Sequence, residues 1–169
     1  MPELSIDIYL PAPPERVWNM LTDFDAYAEW NPYQTIEGRA EAFGSIKIMG
    51  RASGGKKVPA ARAVIWVFEP HARLEFFSGK PFWFASKRFF HLTPCEGGTQ
   101  LRHGVKFSGL WANWRFSRDH KIERLRPHYD ALGKALADRL AGRPSRKSGV
   151  GNRHSRRAQR ANQGKETKR

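Results

Sequence analysis

Cys95 is the only cysteine in 169 residues, so no internal disulfide can form, and a reducing compartment is the natural setting. It sits in the turn-like "TPCEGGT", with no helix terminus beside it in sequence to activate a nucleophile. The histidines lack H-x3-H pairing and no cysteine cluster joins them, so neither a metal nor another cofactor is expected. No apolar run approaches the roughly 18 to 20 residues of a membrane-spanning helix. The opening "MPELSIDIYLPAPPERVW" lacks the basic start and apolar block of a secretory leader. The expected location is cytoplasmic.

Acidic residues are also scarce: 16 Asp and Glu against 30 Lys and Arg, a net charge of +14. The imbalance is uneven. Residues 143–169 hold ten basic residues and one Glu, whereas residues 1–142 hold 20 basic and 15 acidic ones. Aromatics divide the other way, since 20 of the 21 lie in residues 1–116 and only Tyr129 comes later. The length suits one domain with a substantial core, expected over 1–142. The basic tail, 143–169, has only Val150 larger than alanine among its apolar residues and is expected to be disordered.

Within the domain, Leu4, Ile6, Ile8 and Leu10 alternate with polar neighbours, a half-buried strand. Prolines then precede Val17, Met20, Leu21 and Phe24, which have helical spacing. The stretch "FDAYAEWNPY" allows one or two further helical turns before Asn31-Pro32 ends them. Strand-like runs follow at 33–41, 43–51, 60–69, 72–78, 82–93 and 99–109, with short turns between them. Such an order predicts an antiparallel meander. Ile122, Leu125, Tyr129, Leu132, Leu136 and Leu140 form one stripe of a helix over about 117–141, kinked at Pro127 and ended by Gly142 and Pro144.

"PAPPERVWNMLTDFDAYAEWNPY" (11–33) and "EGGTQLRHGVKFSGL" (96–110) carry a resemblance to a known family. The first resembles P-x-x-V-W-x-x-L-x-D-F followed by W-N-P; the second resembles G-G-T-x-L-x-H followed by F-x-G. Both belong to the START-like (SRPBCC) superfamily of lipid-transfer proteins and polyketide cyclase/dehydrases. The resemblance covers residues 3 to about 141. It implies an α+β helix-grip fold: a curved antiparallel sheet of about seven strands around a long C-terminal helix, with two short helices after the first strand. Between sheet and helix it implies space for an apolar ligand. In this reading Trp18 and Leu21 pack the first helix, and Asn31 holds the turn into the second strand.

The hairpin 82–109 carries the candidate site. If Glu96-Gly97 is its two-residue turn, paired residue numbers sum to 193, which sets Phe90 opposite His103 and Arg88 opposite Val105. Arg88 and His103 then become diagonal neighbours on an otherwise apolar face. A buried guanidinium needs an anionic or hydrogen-bonding partner, and none is evident in the hairpin. An anionic group on a ligand would supply it; a solvated position at the cavity mouth is the alternative. His103 reads either as a core histidine bonded to a backbone carbonyl or as a group that orients the ligand. Phe84, Phe90, Val105, Phe107, Trp66 and Phe76 complete the expected wall. Relatives in the resembled family carry His where Arg88 stands and Glu where Val105 stands. An Arg–Val pair offers no group that titrates near neutrality, which weighs against acid–base catalysis.

Three functions remain open on the sequence. The leading one is a carrier for a small, mostly apolar ligand, neutral or anionic. The second is a cyclase/dehydrase-like enzyme with His103 as acid or base. The third works through the tail, where Arg153, Arg156, Arg157 and Arg160 have helix-compatible spacing but no aromatic to stack on bases. These would attach nonspecifically to nucleic acid or an acidic surface.

Overall fold

The computed structural model describes residues 1–31, 33–51, 57–117 and 121–142. The basic tail, with its four candidate arginines, lies outside the described residues, as does most of the 53–57 turn. Strand β1 (Glu3–Leu10) alternates as its sequence requires, with Leu4, Ile6 and Leu10 buried. Helix α1 (Pro14–Thr22) begins on Pro14, whose missing N–H would have no partner in the first turn anyway. Its Val17, Trp18 and Leu21 are buried, and Trp18 meets Phe68 edge to face at 5.0 Å.

Helix α2 (Tyr27–Trp30) is a single turn anchored by two aromatics. The Tyr27 hydroxyl donates to the Leu21 carbonyl at 2.9 Å. Asn31 then accepts from the backbone N–H groups of Tyr33 and Gln34 at 3.0 and 3.1 Å, so its buried amide holds the entry into the next strand. Trp30 and Asn31 form part of a corner, as their sequence suggested.

Strands β2 (Gln34–Glu37), β3 (Ser45–Arg51), β4 (Lys57–Glu69), β5 (Arg73–Lys80), β6 (Phe84–Cys95) and β7 (Gly98–Ser108) follow as a meander. The sheet is antiparallel in the order β1-β7-β6-β5-β4-β3-β2, so β1 closes back on β7 while β1 and β2 remain the edges. The β6–β7 register has Arg88 on Val105 and Phe90 on His103, the pairing expected from a Glu96-Gly97 turn. Two irregularities bend the sheet. Between β3 and β4 the register shifts at Ile48/Met49, leaving Ala60 as the extra residue; between β4 and β5 it shifts at Ile65/Val67, leaving Trp66.

The C-terminal region differs from the expected unbroken helix. A separate helix α3 (Leu110–Ser117) follows β7 directly, a 3₁₀ turn spans Lys121–Leu125, and helix α4 runs from Arg126 to Leu140. Pro127 therefore starts α4 instead of kinking a longer helix, because its ring fits the first turn, where no N–H is needed. Helix α4 buries Tyr129, Gly133, Leu136 and Leu140. Leu136 and Leu140 join the main core formed by α1 and the sheet, while Tyr129 joins a second cluster with Leu4, Ile6, Val105 and Phe107. Each such leucine contributes about 2 kcal/mol by burial. Gly133 lets α4 settle closely on the sheet, since a Cβ there would lie 3.0 Å from Ile8 and 3.1 Å from His103.

Candidate ligand-binding site

Between the concave sheet face and the C-terminal helix lies a cavity of about 290 Å³. Ile48, Phe76, Val105, Phe107 and Leu125 give it apolar walls. Three small residues of β4, Ala60, Ala61 and Ala63, leave the room. The polar contribution comes from Gln34, Ser78, Ser86, Arg88, His128 and the face of Tyr129. Among the described residues no carboxylate lines it.

Arg88 is the permanent charge of this space. Its guanidinium donates to the side-chain oxygen of Gln34 and stands over the Tyr129 ring, 5.7 Å from the centroid. The partner missing from the hairpin is thus supplied by β2, which the sheet's curl brings round to face β6. Gln34 is neutral, so the hydrogen bond satisfies one donor, and among the described residues no carboxylate pairs with the charge.

His103 sits behind the wall. Its ring is buried, parallel to Phe90 at 6.1 Å and tilted against Tyr129 at 6.0 Å. Neither ring nitrogen has a hydrogen-bond partner among the described residues, so the expected bond to a backbone carbonyl is not formed. Burial, then the Arg88 charge, push its pKa down to about 4 against a small opposing effect of Asp7. The ring is neutral at pH 7. Arg88 also acts on Tyr27: burial raises that hydroxyl's pKa far above the ordinary value, and the guanidinium offsets a little of the rise.

Of the residues expected from sequence to form the wall, Arg88, Val105, Phe107 and Phe76 line the cavity. Phe90 is core, packed between Phe76 and His103. Phe84 stands beside Phe107 at 5.6 Å, half exposed at one end of the cavity. Trp66 requires correction: it lies on the outer face, 59% exposed, between Phe43 and Phe77. It shares that face with Arg62 and Val64, alternating with the buried Ala63 and Ile65, while the irregularity at this residue lets Phe68, two residues on, turn to the core.

Gln34, Ser78, Ser86, His128 and Tyr129 are site residues that hairpin reasoning missed. The one available signal was Tyr129, the lone aromatic on the helical stripe. A larger groove of about 560 Å³ lies on the outer face among Lys47, Arg62, Val64 and Phe77, but it is more open and offers no comparably enclosed charge. Among the described residues no cluster of three or more His, Cys, Asp or Glu could hold a metal ion.

A curled seven-stranded antiparallel sheet closed by a C-terminal helix, with a cavity between them, is the architecture of helix-grip proteins. Residues 1–141 match the family described as polyketide cyclase / dehydrase and lipid transport, and the chain belongs to that family. Among solved structures it is similar to protein CV1439 from Chromobacterium violaceum, at 19% identity over 82% of this chain and 96% of that one, with a TM-score of 0.64. It is also similar to TTHA0849 from Thermus thermophilus, at 21% identity over 83% and 98%, with a TM-score of 0.63. A third is DynU16, a putative protein in the dynemicin biosynthetic locus, at 19% identity over 85% of this chain but 49% of that one, with a TM-score of 0.62. At these identities the likeness is one of fold. No curated protein sequence matches the chain. No helix of the described residues is long and apolar enough to cross a membrane.

Proposed function

We propose that this protein binds a small amphipathic ligand between its sheet and C-terminal helix, with an anionic group of that ligand on Arg88. The carrying observation is the arginine itself: a guanidinium facing a largely apolar space, with a neutral glutamine as its hydrogen-bond partner and no carboxylate in the wall among the described residues. Such a charge gains most from a carboxylate, which it can hold through two parallel N–H donors, or from the single oxygen of a phenolate. Size narrows the class. At about 290 Å³ the cavity is at the low end of small-molecule sites, roughly ten water volumes, which suits a compact aromatic or short-chain acid.

The same geometry favours binding over turnover by His103. That ring does not line the cavity, packs on Phe90 and on the wall residue Tyr129, and is already neutral well below pH 7. A general acid or base must reach the reacting proton within hydrogen-bond distance, and His103 does not line the space where a ligand would sit.

The test is mass spectrometry of an organic-solvent extract of the purified full chain, beside its Arg88→Ala variant. A single organic acid retained by the parent protein and lost from the variant is the expected result. A neutral compound retained equally by both would refute the role given to Arg88.

A further inference from the structure

The end of the molecule near Phe107 has a surface unlike the rest. Phe82, Trp83 and Phe84, at and after the β5–β6 turn, and Leu110, Trp111 and Trp114 on α3 are 38% to 79% exposed. Backbone hydrogen bonds hold the two groups side by side: the Leu110 N–H donates to the Phe82 carbonyl at 3.3 Å and the Trp111 N–H to the Trp83 carbonyl at 3.0 Å. Gly109 makes the joint possible, with φ of +99° and no room for a Cβ, which would lie 2.6 Å from the Trp83 oxygen.

The opposite side of α3 is anchored. Ala112 is buried, and Phe116 stacks on the cavity-wall residue Phe107 at 4.4 Å. Helix α3 is therefore fixed to the body by its small and inward-facing residues while its tryptophans stand outward. A surface of six large apolar side chains in contact with water costs solubility and stability, and such a patch marks an interaction site.

Charge identifies the partner. The segments 78–84 and 110–117 contain no Asp or Glu, and their ionisable residues are Lys80 and Arg115, both exposed. Three tryptophans flanked by cations are the composition of a surface that rests in the headgroup region of a bilayer, where the indole ring buries its apolar body and keeps its N–H in a polar layer. Lys80, Arg115 and the excess of 20 basic over 15 acidic residues in 1–142 complement anionic lipid. We propose that this face, built from the β5–β6 turn and α3, docks the protein on the surface of anionic membranes. The inference is independent of the ligand in the cavity and of the basic tail.

The test uses the full chain with vesicles of phosphatidylcholine alone and of phosphatidylcholine with about 30 mol% phosphatidylglycerol, the anionic component supplying the surface potential. Sedimentation and tryptophan emission are read together, with acyl chains brominated near the headgroup as quenchers. The parent protein is expected to sediment with the anionic vesicles and to be quenched. W111S/W114S, which keeps every charge including the tail, should lose the quenching and about tenfold in partition. Because both residues are exposed, its thermal unfolding should match that of the parent. K80E/R115E, a second variant that leaves the apolar face whole, should bind anionic vesicles more weakly and with a shallower salt dependence.

Equal partition of the parent and W111S/W114S would overturn the proposal, because binding would then run through the tail. So would a parent that ignores vesicles but forms a dimer which W111S/W114S converts to monomer, since the face would then belong to a second copy.

Discussion

Arg88 on β6 reaches Gln34 on β2, across a sheet in which β5, β4 and β3 lie between their strands. The contact spans 54 residues of sequence and exists because the sheet curls far enough to bring its edge over its middle. It also places a neutral acceptor where a carboxylate would have cancelled the charge. That choice governs what the cavity can hold.

Gln34→Glu tests it. A carboxylate at this position would form an ion pair with Arg88 and repel an anionic ligand. The variant should keep or gain thermal stability and lose at least about tenfold in affinity for an aromatic carboxylate, a change of roughly 1.4 kcal/mol. Calorimetric titration reads the affinity, and an unchanged value would remove Arg88 from the account.

Filling the space should separate binding from folding. Ala61 lines the cavity on β4, opposite Ile48. In Ala61→Leu the added methyl groups enter the hollow instead of an already packed core. Thermal unfolding should stay within about 1 kcal/mol of the parent, because burial gain offsets any local crowding. Ligand retention should fall sharply. A folded variant that binds normally would locate the ligand elsewhere.

His103 predicts a pH dependence of stability. Its folded pKa of about 4 lies below the ordinary 6.5, so between these values the unfolded chain binds more protons than the folded one. Stability from this group is fully present above pH 6.5, falls as pH drops towards 4, and changes no further below that. The full effect is about 3 kcal/mol. In His103→Leu, which has no ring nitrogens to leave unpaired, denaturant unfolding at pH 7 and pH 5 should differ less than in the parent. An identical difference would assign the slope to other groups.

Glu75, on the outer face, gives a pH dependence of the same sign at lower pH. Its carboxylate is buried, with His91 at 2.8 Å, Lys87 at 3.1 Å and Arg73 at 3.2 Å. Burial raises its pKa, but hydrogen bonds from His91, Lys87 and Arg73, with the Lys87 charge, outweigh that and hold it below 4.5. Its stabilisation is present above pH 4.5 and is lost as pH falls through the lowered folded value. Glu75→Gln should cost about 1–3 kcal/mol at pH 7, less than breaking a fully buried pair because all three partners remain partly solvated. Chemical denaturation measures it.

Much of the fold is legible in the sequence because its signals are local. Alternation marks β1, a two-residue turn fixes the 193 register of β6 and β7, and Asn31 caps a corner within three residues of itself. Irregular features were harder. The register shift at Trp66 sets it and Phe68 on opposite faces although they are two residues apart, and Pro127 in a helical pattern reads equally as a kink or a start. Half of the site was hidden for another reason. Gln34 and Tyr129 approach Arg88 through the curl of the sheet and the placement of α4, and neither distance is written in sequence spacing.

The central claim is most directly tested by titrating one aromatic carboxylic acid and its primary amide, matched in shape, against the parent protein and Arg88→Ala at pH 7. The acid should bind the parent at least about tenfold more tightly than the amide, and the variant should bind both equally weakly. Equal affinity of acid and amide for the parent protein would contradict the account.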